Sequence, residues 1–298
     1  MQTALYGPDG FYRRELPGDH FRTSVSASPA FSVAVRELAD RVDAALDHPD
    51  PFDVVDVGAG DGRLLHGLGD VPPRWRLTPV DVNGRWDTEI PWVTGLLVAN
   101  EWLDNVPLDV VVEGRCVEVD EAGRERLGGP ADDADLAWAT RWWPDADRVE
   151  VGRLRDEAWT SAVAKVVRGI AVGIDYGHTS ADRRTTLTGY RSGRQVAAVP
   201  DGSCDLTAHV ALDSCAAATG SRLLRQRDVL LELGVCAERP ERTRAATDPT
   251  GYLTDLAQAG SAAELLDPAG LGGFGWLVRE TELSGVLPAT RRRPAQFR

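Results

Sequence analysis

The stretch 56-DVGAGDG-62 carries the densest chemical information in the chain. Gly58, Gly60 and Gly62 alternate with Ala59 and Asp61 directly after the apolar run 52-FDVVDV-57. Glycine has no Cβ, so such a backbone can turn sharply and approach a ligand closely. Two acids frame the loop. Asp56 sits two residues before the first glycine, and Asp81 ends the next apolar run, where a carboxylate can accept hydrogen bonds from ribose hydroxyls. A dinucleotide loop spaces its glycines G-x-G-x-x-G, the third one letting the helix pack on its strand while the helix N-terminus faces the pyrophosphate. Here the third residue after Gly60 is Arg63, and the spacing is G-x-G-x-G. A flanking carboxylate repels pyrophosphate but tolerates a cation. S-adenosylmethionine (SAM), with its sulfonium and zwitterionic amino-acid end, is such a ligand. The pattern therefore makes Asp56, Gly58, Ala59, Gly60, Gly62 and Asp81 candidate cofactor ligands, with a tight turn that binds nothing as the plainer alternative.

These residues need elements to hold them. The run 52-FDVVDVG-58 reads as a buried strand, Arg63–Leu68 as the start of a helix, and 76-RLTPVDV-82 and 95-GLLVANEW-102 as further strands. Strand, helix and strand in this order imply a parallel sheet with right-handed crossovers. Before it, Phe31, Val35, Leu38, Val42 and Leu46 recur at helical spacing over Pro29–Leu46, behind an irregular lead-in. Beyond Pro107, residues 108–127 read as an inserted hairpin, and 132–147, acidic and Trp-rich, as a helix broken at Pro144. A helix over 153–167, a buried strand at 170-IAVGIDYG-177, helices over Thr207–Ala218 and Asp228–Leu233, and a last strand at 274-FGWLVRET-281 complete the expectation. The chain then divides into a lead-in and helix (1–50), a core (51–107 and 166–285), an inserted hairpin and helical segment (108–165) and a tail (286–298).

Composition bounds the class. At about 150 residues per domain, 298 residues make two units or one large α/β unit with insertions. Hydrophobic and charged shares of 43% and 27% are ordinary globular usage, which excludes disordered and fibrous classes. A net charge of −13 argues against nucleic acid as a partner, since neutralising phosphates needs a basic face. No apolar run approaches the ~20 residues of a membrane span, and MQTALYGPDGFYRR lacks the build of a signal peptide. A cytoplasmic protein without membrane contact is expected. Cys116, Cys204, Cys215 and Cys236 are scattered, which favours free thiols over a disulfide framework or a zinc site; no metal is expected. Trp138, Trp142 and Trp143 read as core of the insert, an aromatic slot for a cation being the alternative. Arg291, Arg292 and Arg293 read as a solvated tail.

The residues also carry a family resemblance. 56-DVGAGDG-62 resembles motif I of class I SAM-dependent methyltransferases. 4-ALYGPDGFYRR-14 followed by 18-GDHFRTS-24 resembles the N-terminal signature of the MidA-like family, which includes the mitochondrial arginine methyltransferase that assists complex I assembly. 98-VANEWLDNVP-107 is similar to that family's Asn-Glu-Phe-x-Asp-x-x-Pro stretch, 174-IDYG-177 to its Asp-Tyr-Gly strand end, and 205-DLTAHV-210 to its Asp-Leu-Thr-x-His-Val signature. The blocks stand in family order over residues 4–210. Ala59 replaces the family's loop proline, Trp102 a phenylalanine, and Ala211 a common acid. The stretch from Asp81 to Gly95 is shorter than the family's, so a helix between strands is expected to be lost or reduced.

The resemblance implies an α/β fold of the class I methyltransferase, Rossmann-like kind, with a mostly parallel twisted sheet, helices on both faces and the insert on the acceptor side. It implies SAM as cofactor, with Asn100 among its ligands, and methylation of a nitrogen, an arginine on a partner protein. A guanidinium is best held bidentately by carboxylates, which makes Glu101, with Asp104 one helical turn on, the candidate clamp. For the pair, a helix cap and a solvated loop acid are the alternatives. His209 joins them as a catalytic candidate through the matched signature, against a reading in which Asp205 or Thr207 merely caps a helix there. Asp175 and Tyr176 are candidate substrate ligands at a strand end. Tyr12, Asp19, Thr23 and Ser24 could fold over the cofactor. An inactive scaffold with the same fold is the main rival function; an NAD-type oxidoreductase is disfavoured by Arg63.

Overall fold

The computed structural model describes residues 1–15 and 23–287. Phe52–Val57 (β1) is buried at every position. A strand covered on both faces has no wet side, so its sequence runs apolar and β-branched instead of alternating. Trp75–Val80 (β2) and Val93–Asn100 (β3) flank it, both parallel to it, with Val55 opposite Thr78 on one side and Leu97 on the other. Val166–Asp175 (β4) adds in parallel beyond β3. Arg222–Arg225 (β5) and Gly275–Thr281 (β6) complete the sheet in the order β5-β6-β4-β3-β1-β2, with β6 antiparallel to both its neighbours. The architecture is mixed α/β around a largely parallel sheet.

Successive strand residues feed opposite faces, as the period of two demands. Val54, Leu96 and Val98 join one core with Phe31, Leu38, Val229 and Leu265, from helices Pro29–Ala45, Gln226–Glu232 and Pro249–Leu265. Val55, Leu97 and Ala99 join the other with Trp159, Leu212 and Cys215, from helices Arg153–Val163 and Leu212–Thr219.

The hairpin expected over residues 108–127 is instead part of a four-stranded antiparallel sheet: Glu125–Pro130, Arg115–Val119, Asp109–Val112 and Arg148–Val151 in spatial order. Trp138 and Trp143 are buried against Val111, Val149 and Val151, with Trp142 packed on them, so the aromatic trio is core.

Several local expectations are corrected. Residues 1–30 hold short helices at Gln2–Tyr6, Phe11–Arg14 and Ser24–Ala27. Thr207–Ala218 is helical only over Leu212–Thr219. Asp205–Thr207 is a strand paired with Thr188–Arg191, and Val210–Ala211 pairs with Gly177–His178. Asp205 and Thr207 therefore cap no helix; the hydroxyl of Tyr12 and the amide of Asn105 donate to Asp205 instead. The helix expected to run to residue 167 stops at Val163, and Val166 already belongs to β4. Helix Pro249–Leu265 and strand β5 had no counterpart in the sequence reading. Between β2 and β3, residues 81–92 contain neither helix nor strand. Asp19 and the arginines 291–293 lie outside the described residues. No helix among the described residues is long and apolar enough to cross a membrane.

Candidate functional site

The C-terminal ends of β1, β2 and β3 open into a cavity of about 630 Å³. In open α/β sheets this end of the strands is where ligands bind. Gly58, Gly60 and Gly62 take φ values of 77°, 56° and 80°, a left-handed region that side chains disfavour. At Gly58 space adds a second constraint, since a Cβ there would stand 3.0 Å from the Trp102 ring.

The loop is stitched to the segment after β2. Gly58 and Ala59 donate to the carbonyl of Val80, and Gly60 donates to Asp81 Oδ2 at 2.8 Å. Asn83 Nδ2 and Trp86 Nε1 both donate to the Gly60 carbonyl, at 2.8 and 3.1 Å. Asp81 Oδ1 accepts from Asn83 N. A carboxylate offers about four lone-pair sites, so Asp81 keeps acceptor capacity for a ligand.

Asp56, the penultimate residue of β1, stands on the cavity wall, and nothing among the described residues donates a hydrogen bond to its carboxylate. Burial, then Asp81 and Asp61, push it up to about 7. Glu101 follows β3 in a left-handed conformation, φ 51°, with its N–H on the Ile174 carbonyl. Its Oε1 accepts from Ser24 N at 2.7 Å and from Asn100 Nδ2 at 3.1 Å. Burial raises Glu101 to about 7 against the pull of the Ser24 N–H. Asn100 Oδ1 is buried without a partner among the described residues. The wall carries the acids Glu15, Asp56, Asp61, Asp81 and Glu101 against Arg13 and Arg63. Such a wall suits a cationic ligand.

The cavity thus gathers Asp56, Gly58, Ala59, Gly60, Asp81, Asn100 and Glu101 from the sequence-predicted set, and Tyr12 and Thr23 from the lead-in. Gly62 stands behind it under the Trp86 ring. Asp104, Asp175, Tyr176 and His209 are not on its wall. Asp104 Oδ2 accepts from the hydroxyls of Thr207, at 2.7 Å, and Tyr176, while its Oδ1 is buried with no partner among the described residues. Asp175 Oδ2 accepts from the backbone of Leu103 and Asp104, and burial beside Asp104 and Glu101 drives it well above the usual carboxylate range. His209 lies edge-on to Tyr176 and is pulled down to about 4 by burial, so it is neutral at pH 7. Together these groups hold the turn 103–106, two of whose residues, Asn105 and Val106, line the cavity.

Sequence reasoning missed the residue that locks this turn. Arg155 is 1% exposed and donates to the carbonyls of Asp104, Val106, Ala208 and His209 at 2.5, 3.0, 2.8 and 3.0 Å. An arginine in a helix otherwise rich in charge carries no signal of this in the sequence.

Residues 69–226 match the family described as "Putative S-adenosyl-L-methionine-dependent methyltransferase". The match spans more than half of the chain. The chain belongs to this family. Two solved structures from Burkholderia thailandensis share its fold. One, described as a likely methyl transferase bound to S-adenosyl-homocysteine, aligns with TM-score 0.76 at 24% identity over 96% of this chain and 87% of its own. The other, described as an uncharacterized protein, aligns with TM-score 0.76 at 25% identity over 95% of this chain and 86% of its own. No curated protein matches the chain. For this family the cofactor is SAM, and a buried carboxylate at Asp56 that has no hydrogen-bond partner among the described residues, beside a preformed glycine bend, fits its cationic part.

Proposed function

We propose that the protein transfers the methyl group of SAM to a nitrogen, that of an arginine side chain on a partner protein, and that its fold is of the class I methyltransferase, Rossmann-like kind. The observation that carries the reading is the acidic cavity at the strand ends, with the glycine bend at one side and the Glu101 carboxylate on its wall. The glycine bend, Asp56, Asp81 and Asn100 would hold the cofactor, as the bound S-adenosyl-homocysteine of the Burkholderia structure supports by fold likeness. The cofactor supplies an electrophilic methyl group. The chain's own part is to place the acceptor, exclude water and take up a proton.

Glu101 suits the last task. A carboxylate near 7 is half ionised at neutral pH, able to align a guanidinium and receive the proton its nitrogen loses. Asp104, Asp175, Tyr176 and His209 act behind the wall by holding the 103–106 turn. In this reading 51–107 and 166–285 form the catalytic unit and 108–165 an acceptor-side insert, in a cytoplasmic protein. An NAD-type reading is disfavoured by the carboxylates where a pyrophosphate would lie.

The test is methyl transfer from radiolabelled SAM to lysate proteins, followed by hydrolysis and amino-acid analysis. Label in methylarginine that disappears with Glu101→Gln is the expected result. Label in another amino acid would overturn the acceptor, and label that persists in the variant would overturn the role of Glu101.

A further inference from the structure

A chain of buried polar groups runs from the cavity wall to Trp276 on the antiparallel strand β6. Glu101 Oε1 accepts from the backbone N–H of Ser24. The Ser24 hydroxyl accepts from Gln226 Nε2 at 3.2 Å. Gln226 also donates to the Leu271 carbonyl at 2.9 Å, and its Oε1 accepts from Trp276 Nε1 at 2.9 Å. Ser24, Gln226 and Trp276 are each fully buried, at 0% exposure. Every polar atom of the Gln226 side chain is thus engaged, and its backbone N–H is held by the Phe274 carbonyl. A buried amide costs stability unless it is fully bonded, so this one is fixed in place by its surroundings. Helix Ser24–Ala27 is a single turn with no apolar stripe of its own, yet it brings the Ser24 N–H within 2.7 Å of the carboxylate.

We propose that Ser24 and Gln226 are positioning residues for the Glu101 carboxylate, Gln226 acting through the Ser24 hydroxyl. The inference rests on the assignment of Glu101 to the site. Ser24 N–H bonds the charged form of Glu101 and opposes the burial that favours the neutral one. Other groups that bear on Glu101 are the Asn100 amide, which donates to the same oxygen, the Ser24 hydroxyl, Asp104 on the following turn and Asp175 at the end of β4. Asp56, Asp81, Arg13 and Arg63 share the cavity wall. Arg155 lies on the backbone of Asp104. Apart from the Ser24 hydroxyl, none of these is touched by a change at Gln226.

The experiment follows the Glu101 carboxyl carbon by NMR in the full chain labelled with ¹³C-glutamate, its signal assigned by its loss in Glu101→Gln. The wild-type midpoint is expected at about 7. In Gln226→Leu it moves up by about one unit, because the hydrogen bond to the charged form loosens. Ser24→Ala, which keeps the backbone N–H but removes the hydroxyl that links Glu101 to Gln226 and itself favours the charged form, moves it in the same sense, and carries the test should Gln226→Leu not fold. Leu230→Ala, equally buried in the same helix, lowers the melting temperature and leaves the midpoint in place. An unchanged midpoint in folded Gln226→Leu and Ser24→Ala overturns the positioning role alone. A wild-type glutamate signal that Glu101→Gln fails to remove near 7 overturns the Glu101 assignment and the positioning role with it.

Discussion

Asp56→Asn is expected to make the protein more stable and a poorer binder of SAM. Asp56 is 3% exposed, and its carboxyl accepts no hydrogen bond among the described residues and is raised from 3.8 to about 7 by burial and by Asp81 and Asp61. In the folded chain the group prefers to be neutral; in the unfolded chain it ionises above 3.8. The penalty is therefore absent below the unfolded value, grows as pH rises from 3.8 towards 7, and stays constant above. At 1.36 kcal/mol per unit, the three-unit difference costs about 4 kcal/mol at pH 8. The neutral amide, of the same size, escapes that cost. An unfolding entropy of ~2.1 cal/mol/K per residue converts the gain into a rise in melting temperature of about 6 °C for this chain length. Calorimetric melting of both proteins at pH 8, 6 and 4.5 checks the size and the pH slope. Titration with SAM at pH 8 should show affinity reduced about tenfold in the variant, since one carboxylate no longer faces the cation. A variant that melts no higher at pH 8, or a gap that fails to shrink on acidification, would refute the reasoning.

Three further outcomes follow from the same geometry. Gly58→Ala forces a side chain into a φ of 77° and within 3.0 Å of Trp102; SAM affinity by calorimetry should fall at least about tenfold, with the circular dichroism unchanged. Arg155→Met leaves four buried carbonyls without their donor, and melting should drop by about 6 °C, for a loss of about 4 kcal/mol, with Arg155→Lys recovering only part because an ammonium cannot span the four oxygens. Affinity of the wild type for SAM should weaken as pH falls through about 7, where Asp56 and Glu101 take up protons and the wall loses negative charge; a flat profile from pH 8 to pH 5.5 would contradict the cation reading.

The parts of the site that were legible in the sequence are local. A β-branched run that stops in alternating glycines determines its own conformation, and Asp56 and Asp81 follow from the ends of two strands. Asp104 stands off the cavity wall for a physical reason. The spacing from Glu101 suggested one helical face, but Glu101 adopts a left-handed φ of 51°, which breaks the register, and the single turn Leu103–Asn105 sends Asp104 towards Tyr176 and Thr207. In 205-DLTAHVALD-213 apolar residues fall at helical and at alternating spacings alike, and pairing with Thr188–Arg191 and Gly177–His178 decides for strands over its first half. Helix Pro249–Leu265 buries mainly alanines, so its apolar stripe is faint. Arg155 and Gln226 were invisible because their partners stand 49 to 54 and 45 to 202 positions away, beyond the reach of any periodicity.

The short connection between β2 and β3 shows how the fold does without a helix there. Residues 81–92 must return from the C-terminal end of β2 to the start of β3, and an extended chain of that length reaches at most about 40 Å, ample for a six-residue strand. A helix rises only ~1.5 Å per residue and would use up most of that reach. The segment therefore stays irregular, bridged to β2 where Asp81 N–H meets the Asp87 carbonyl, and its side chains take over the task of bracing the glycine bend. Asn83 and Trp86 hold the Gly60 carbonyl while Asp81 holds its N–H, so the bend is ordered before any ligand arrives. Preordering lowers the entropic cost of binding. Trp86→Ala removes one of the two donors and uncovers Gly62, and SAM should bind about tenfold more weakly, the loss falling in the entropy of binding. Equal affinities of variant and wild type would mean that the bend is set by its glycines alone and that the irregular connection only closes the chain.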